Sequence, residues 1–338
     1  MTALVDDALL PAAPYLTSDA AADVIAPAIA ATGATLVSCA PVQVQYRPGA
    51  DLVVRYRVET ADRDGQVSRA TVMAGTTVNG PPPGTLEIEG GGLTVGVWQW
   101  PFDPSLPGLG RAVTPDQAAG LLAGYLDGIP TLEVVVYRPT ERAVVRATAA
   151  DGRRAYVKIV PPAIAEGLVR RHHLLLEAGL PVPEVVAADL AEGLIVLSEL
   201  AGPTLRDLLK EGTADGWPDP ADFVELRRRL AAVPLHDLAH KPTRTSDAAA
   251  HARMLAEVLP DERERLQRIA ADAAERAVPA TAVIHGDLHE AQVIVEGGRI
   301  VGLLDIDDVA PGAALDDLAP VLGHLRYRAV ADDDPTRA

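Results

Sequence analysis

The chain has 338 residues, 48% apolar and 4% aromatic, with 47 acids against 30 bases for a net charge of −17. That length and apolar content suit two or three domains with a sizeable core and exclude a wholly disordered chain. An acidic surface repels the nucleic-acid backbone, and so few aromatics leave little for bases to stack on, which excludes nucleic acid as a partner. No apolar run reaches the roughly 18 residues of a membrane span, and the first residues lack the basic stretch of a secretory signal. Cys39 is the only cysteine, so no internal disulfide forms. A reducing cytoplasm is the expected compartment.

In chain order, the pattern predicts a helix over 18–32, capped by Ser18, closed by Gly33 and kinked at Pro27. Strands are expected from Thr35 to Val78, with a turn at Asp62–Gly65. The Gly- and Pro-rich stretch Asn79–Gly92 reads as loop, Leu93–Trp100 as strand, and 101–110 as a stiff connector that ends a first domain, 1–110. A helix is expected from Pro115 to near Gly128, opened by a capping box of Thr114 and Gln117. Strands follow at Leu132–Tyr137, Ala143–Thr148 and Arg154–Val160, then a helix over 163–178 on which His172 and His173 face solvent. A strand at Ile195–Leu197 closes a second domain, 111–198, and a mostly helical third, 199–338, runs on to about Ala277 before its most informative segment. One segment recurs: YRPGADLVVR (46–55) and YRPTERAVVR (137–146) match at six of ten positions, offset by 91. The match indicates either a duplication or the same turn-plus-strand solution used twice.

Residues Ile284–Asp308 read IHGDLHEAQVIVEGGRIVGLLDIDD. Asp287 sits in a short polar loop, Gln292 follows five positions later, and a hairpin turning at Gly297–Gly298 delivers Asp305 back beside Asp287. Phosphoryl transfer needs divalent ions held by hard oxygen ligands and one carboxylate kept to orient a hydroxyl. The spacing predicts Asp287 as that carboxylate, with Gln292 and Asp305 as metal ligands. Only three of the 30 basic residues are lysines, and Lys158 lies in an apolar strand after the Asp151–Gly152 turn, where an ammonium holds nucleotide phosphates. Glu166, the first acid on the following helix, is its candidate partner.

With H285-G-D-L-H-x-x-Q292, then L-L-D305-I-D-D, Gly312 and D316-D-L-A319, the chain resembles the aminoglycoside phosphotransferase / choline kinase family over about residues 132–320. The resemblance implies an α+β, protein-kinase-like two-lobed fold: a β-rich N-lobe, a helical C-lobe, and here an additional N-terminal α/β cap. It implies ATP and Mg²⁺ as cofactors and a small-molecule acceptor, with Asp287 as catalytic base, Gln292 and Asp305 on Mg²⁺, and Lys158 on the phosphates. The nucleotide would lie at the hinge Ser198–Ala201, which contains Glu199 and Ala201. His285 is expected to brace the loop and Asp317 to cap backbone. Gln292 departs from the usual Asn, and it and the cap make the chain similar to maltokinases and aminosugar kinases. The acceptor expected is a hydroxyl of a sugar, aminosugar or aminocyclitol, or else an aminoglycoside. Family members normally continue with further helices after Ala319, which implies a shortened C-lobe.

Other readings stay open at this level. His285, Asp287, His289 and Asp305 would make a metallohydrolase site. Gln292 and the lack of a GxGxxG loop fit a non-catalytic nucleotide sensor, although the family generally lacks that loop and the turn Thr140–Arg142 takes its place. Asp207, Asp237 and Asp308 are acceptor-site candidates by region alone, the first two reading better as solvated helix acids. Neither the choice of ATP over GTP nor the oligomeric state has a signature.

Overall fold

A computed structural model describes residues 7–211, 216–234 and 245–332. Its contacts divide the chain into two compact units, one of Met1–Ile164, Ala188–Ile195 and Glu257–Pro260, the other of the remainder.

The first unit opens with α1 (Ala13–Leu16) and α2 (Ala21–Ala31), followed by strands β1 (Thr35–Arg47), β2 (Asp51–Ala61), β3 (Val67–Thr77), β4 (Leu86–Gly90) and β5 (Leu93–Gln99). These strands form one sheet in the order β1-β2-β3-β5-β4. Alternation along β2 turns Leu52, Val54, Tyr56 and Val58 to one face, where they pack with Leu10, Leu16, Ile25 and Ile29. Burying each such aliphatic side chain contributes about 1.5–3 kcal/mol. The buried Tyr56 hydroxyl donates to the carbonyl of Leu16, so this polar atom in the layer is satisfied. β4 lies inside the stretch read as loop, because pairing with β5 (Ile88↔Val95) orders a segment too short and Gly-rich to show a strand pattern. α2 starts later than expected and without a Ser18 cap; that hydroxyl instead meets the carbonyl of Tyr15.

The segment 101–110 is no free spacer, since Asp103 in it is 2% exposed. α3 (Leu109–Ala112) and α4 (Pro115–Leu122) follow. The expected capping box does not form: the Thr114 hydroxyl donates backwards to the carbonyl of Gly110 at 2.8 Å, and α4 stops six residues short of Gly128. β6 (Thr131–Arg138), β7 (Arg142–Thr148), β8 (Arg154–Ile159), β9 (Val185–Asp189) and β10 (Leu194–Ser198) form a second sheet in the order β6-β7-β8-β10-β9. β9 left no sequence signal, being five residues at a sheet edge with no buried position. Ala143, Val145, Ala155, Val157 and Ile159 are fully buried on one face of β7 and β8.

In the second unit, α5 (Pro162–Glu177) buries Ala165, Leu168, His172 and Leu175, a stripe at helical spacing. His172 therefore does not face solvent as expected. It is 2% exposed and its Nδ1–H donates to the carbonyl of Pro183 at 2.8 Å, whereas His173 is exposed. The helical region holds α6 (Leu205–Glu211), α7 (Pro220–Ala231), α8 (Ala248–Val258) and α9 (Arg263–Glu275). β11 (Ala282–Ile284) precedes the hairpin of β12 (Val293–Glu296) and β13 (Arg299–Leu303). β14 (Ala310–Gly312) returns to pair with β11, and α10 (Leu315–Asp332) closes the described chain. No helix among the described residues is long and apolar enough to cross a membrane.

Candidate active site

β11 ends at Ile284 and releases the loop 285–292, and the hairpin brings the end of β13 back to that loop. The Leu304 N–H donates to the carbonyl of Gln292 at 2.8 Å, so Asp305 follows directly on a residue bonded to Gln292. A four-rung hairpin, β12 with β13, makes this return of the chain to the loop. Asp305 takes φ 51°, ψ 55°, in the left-handed region. Such backbone is uncommon outside glycine, and Asp is among the residues that tolerate it.

His285 is fully buried. Its Nε2–H donates to the carbonyl of Leu304 at 2.8 Å and its Nδ1 accepts from the N–H of Asp287 at 3.4 Å, which sets the neutral tautomer. Both ring nitrogens are committed to backbone, so the four-ligand metallohydrolase set does not assemble around this ring. Asp317, 1% exposed, accepts the N–H of His285 and of Gly286, each at 2.9 Å. Burial pushes its carboxyl above the ordinary value, against the pull of those two donors. Gly286 has φ +85° and a Cβ there would stand 2.7 Å from the carbonyl oxygen of Asp308. Only glycine fits.

The Asp287 side chain is half exposed, with an oxygen 3.8 Å from His289 Nε2. Burial keeps His289 below the usual imidazole range, more strongly than the Asp287 carboxylate raises it. Its Nδ1 accepts from the N–H of Ala291 at 3.2 Å, and Nε2 lies 3.2 Å from the side-chain amide of Gln292. With Nδ1 an acceptor, the ring proton is on Nε2, and the amide atom suited to face it is the oxygen.

Three residues of this neighbourhood carried no sequence signal. Glu290, 2% exposed, pairs with Arg206 at 3.2 Å and with His324 Nδ1 at 3.2 Å. The Arg206 N–H also donates to the carbonyl of Glu290 at 3.0 Å, pinning the first turn of α6 to the loop. His324, on α10, stacks on His289 with ring centroids 4.5 Å apart. Their partners are 34 to 84 residues distant in sequence, so no local pattern marks them. His289, Glu290 and His324 are the group of three among the described residues whose ligand atoms lie within 4.8 Å of one another. Arg206 already answers the Glu290 charge there.

Lys158 is 5% exposed on β8, in register with Val144 of β7. Glu166 is exposed on α5, one position from the buried Ala165. Glu199 is half-buried and Ala201 exposed just beyond β10. That segment is anchored next door: Gly202, at φ +118°, comes so close to the Val295 carbonyl that a Cβ would lie 2.9 Å away, and the Val295 N–H donates to the carbonyl of Pro203. Asp207 caps α6, its carboxylate accepting the Thr204 hydroxyl at 2.6 Å. Asp308 is exposed beside Gly286, and Asp237 lies outside the described residues.

The profile of the phosphotransferase enzyme family matches residues 139–337. No curated protein matches the sequence. Among solved structures, an aminoglycoside-3'-phosphotransferase of type VIII is 25% identical, with 63% of this chain and 84% of that one covered and a TM-score of 0.43. An aminoglycoside phosphotransferase from Streptomyces rimosus, in complex with ADP and streptomycin, is 23% identical (68% and 87% covered, TM-score 0.46). A choline/ethanolamine kinase family protein from Mesorhizobium loti is 20% identical (65% and 70% covered, TM-score 0.44). A five-stranded sheet with a helix between its third and fourth strands, followed by helices and the loop–hairpin–Asp arrangement, is an α+β, protein-kinase-like fold. With the profile covering more than half of its length, the chain belongs to the phosphotransferase enzyme family.

Proposed function

We propose that the protein is an ATP- and Mg²⁺-dependent small-molecule O-phosphotransferase whose acceptor is a hydroxyl of a sugar, aminosugar or aminocyclitol. The observation that carries this reading is the Leu304 N–H bonded to the carbonyl of Gln292, which couples the loop of Asp287 to Asp305. The donor set fits magnesium, because an amide oxygen and a carboxylate are the hard oxygen ligands it takes, leaving positions for water and phosphate. Bound there, the ion would neutralise charge on the phosphate oxygens. Asp287 is exposed enough to meet a substrate hydroxyl, orient it, and accept its proton as the phosphoryl bond forms, an effect typically worth ~10²–10⁴-fold. His289, kept neutral by burial, adds no positive charge that would compete for the Asp287 carboxylate. Lys158 would hold phosphate oxygens with Glu166 as its candidate partner, and the chain at Glu199 and Ala201 would meet the base. The resemblance to maltokinases and aminosugar kinases motivates the acceptor class. Aminoglycoside and macrolide phosphotransferases are among the similar solved structures, which makes an antibiotic hydroxyl the competing acceptor.

The test is Mg²⁺-dependent ATP turnover against glucosamine, maltose, other simple sugars, aminoglycosides and a macrolide. Stimulation by one acceptor is expected, with turnover abolished in Asp287→Asn while Mg-ATP affinity stays near that of the unaltered protein. Loss of nucleotide binding in that variant would move Asp287 to a ligand role. Tight Mg-ATP binding without turnover on any acceptor would replace the enzyme by a nucleotide sensor.

A further inference from the structure

The recurring segment YRP…VVR is one part of a longer correspondence. Each of the two five-stranded sheets places its strands in the same order, first-second-third-fifth-fourth, and each is preceded by a short helix and a longer one. The first copy runs over residues 7–99 and the second over 103–198.

The correspondence extends to side chains. Asp7 and Asp103 each stand three residues before a Leu-Pro pair, Leu10-Pro11 and Leu106-Pro107, and both leucines are fully buried. The Asp7 carboxylate accepts the Tyr46 hydroxyl at 2.9 Å and the Gly49 N–H at 2.8 Å. The Asp103 carboxylate accepts the Tyr137 hydroxyl at 2.8 Å and the Thr140 N–H at 3.0 Å. In each copy the other carboxylate oxygen accepts the N–H two residues on, from Leu9 or Ser105, at 2.9 Å. Gly49 and Thr140 hold the same left-handed backbone, φ 67° and 64°. Each aspartate thus spans its hairpin turn, from the tyrosine on the incoming strand to the left-handed residue at the tip.

The copies differ where nucleotide chemistry would be done. Val144 is in register with Lys158, and its counterpart Val53 is in register with Gly75. A Cβ on Gly75 would lie 3.1 Å from the Leu52 carbonyl oxygen and 3.2 Å from Trp98, so that position has no room for a lysine. α5 follows the third strand of the second copy, whereas residues 78–85 of the first carry no helix. The left-handed residue also differs. Glycine takes it without strain, but Thr140 is β-branched, and its side chain is strained in that backbone. The strained turn belongs to the copy that has the lysine.

We propose that Asp103 is a positioning residue that holds the β6–β7 turn in the shape that meets nucleotide phosphate, and that residues 7–99 are a second, nucleotide-silent copy of the same lobe in which Asp7 holds the equivalent turn. This rests on the kinase reading above, in which the turn 140–142 stands in for a glycine-rich loop. The first copy then supplies a matched control, because the same substitution removes one carboxylate oxygen from the same set of three hydrogen bonds in a place with no nucleotide to bind.

The experiment is calorimetric titration of Mg-ATP into the full-length protein and into Asp103→Asn and Asp7→Asn, with KM for ATP and kcat measured beside it. Asp103→Asn should weaken ATP binding about tenfold, the scale of one charge-assisted hydrogen bond. Asp7→Asn should stay within about twofold, and the stoichiometry should be one nucleotide per chain. Thr140→Gly added to Asp103→Asn should recover most of the affinity, since glycine needs no clamp to stay left-handed. Where an aspartate variant fails to fold, Tyr137→Phe against Tyr46→Phe makes the same comparison with one bond removed. Equal effects in the two copies would overturn the positioning role, and two nucleotides per chain would overturn the silent copy. Failure of the unaltered protein to bind Mg-ATP would instead remove the kinase reading, and the clamp's role with it.

Discussion

The Nε2–H of His285 donates to the carbonyl of Leu304 at 2.8 Å, and through this one bond the start of the loop holds the residue next to Asp305. The Leu304 peptide is gripped from both ends, since its N–H reaches the carbonyl of Gln292. His285→Ala would leave a part-buried carbonyl unanswered and a cavity where the fully buried ring had been. A loss of about 2–4 kcal/mol is expected in urea unfolding. The fall in kcat should exceed the rise in KM for the acceptor, because Asp305 moves while the acceptor's own contacts do not.

Gly286 is the tightest point of the loop. Alanine there must accept φ +85° and a Cβ 2.7 Å from backbone oxygen, with no flexible side chain to give way. Gly286→Ala should destabilise by more than about 1–2 kcal/mol, read as a lowered Tm. An unchanged melting curve would show that the loop can open at this point without cost.

The pH dependence of stability has a contribution from Asp7. Burial alone would raise its carboxyl, but the Gly49 and Leu9 N–H groups and the Tyr46 hydroxyl hold it below the ordinary 3.8. A depressed folded-state value adds stability above 3.8 and loses it as pH falls through the lowered value. Asp7→Asn should therefore be less stable than the unaltered protein at pH 7, with the gap closing on acidification below 3.8. Denaturant midpoints measured at several pH values check this.

Cys39 is half-buried, and burial pushes its thiol up to about 11. At pH 8 only about one molecule in a thousand would carry the reactive thiolate. A thiol reagent at pH 8 should react slowly with the folded protein and about a hundredfold faster in urea, where the ordinary value near ~8.5 returns. Fast reaction in the folded state would place the thiol in open solvent.

Local pattern sufficed wherever a feature was local. Residues 35–61 and 131–159 announced their strands, α5 its end through Gly179 and the prolines at 181 and 183, and residues 284–308 their loop and hairpin through the turn at Gly297–Gly298. Backbone periodicity and a short hairpin determine such relations within some twenty residues. Tertiary structure alone decided the rest. β4 and β9 became strands only because a neighbour accepted their hydrogen bonds, and His172 was drawn inward by the carbonyl of Pro183. Arg206 and His324 meet Glu290 across 84 and 34 positions, and Asp103 reads as a connector residue until the tyrosine 34 positions on closes over it. A buried charge or carbonyl must find its partner wherever the fold supplies one, and no interval in the chain records where that is.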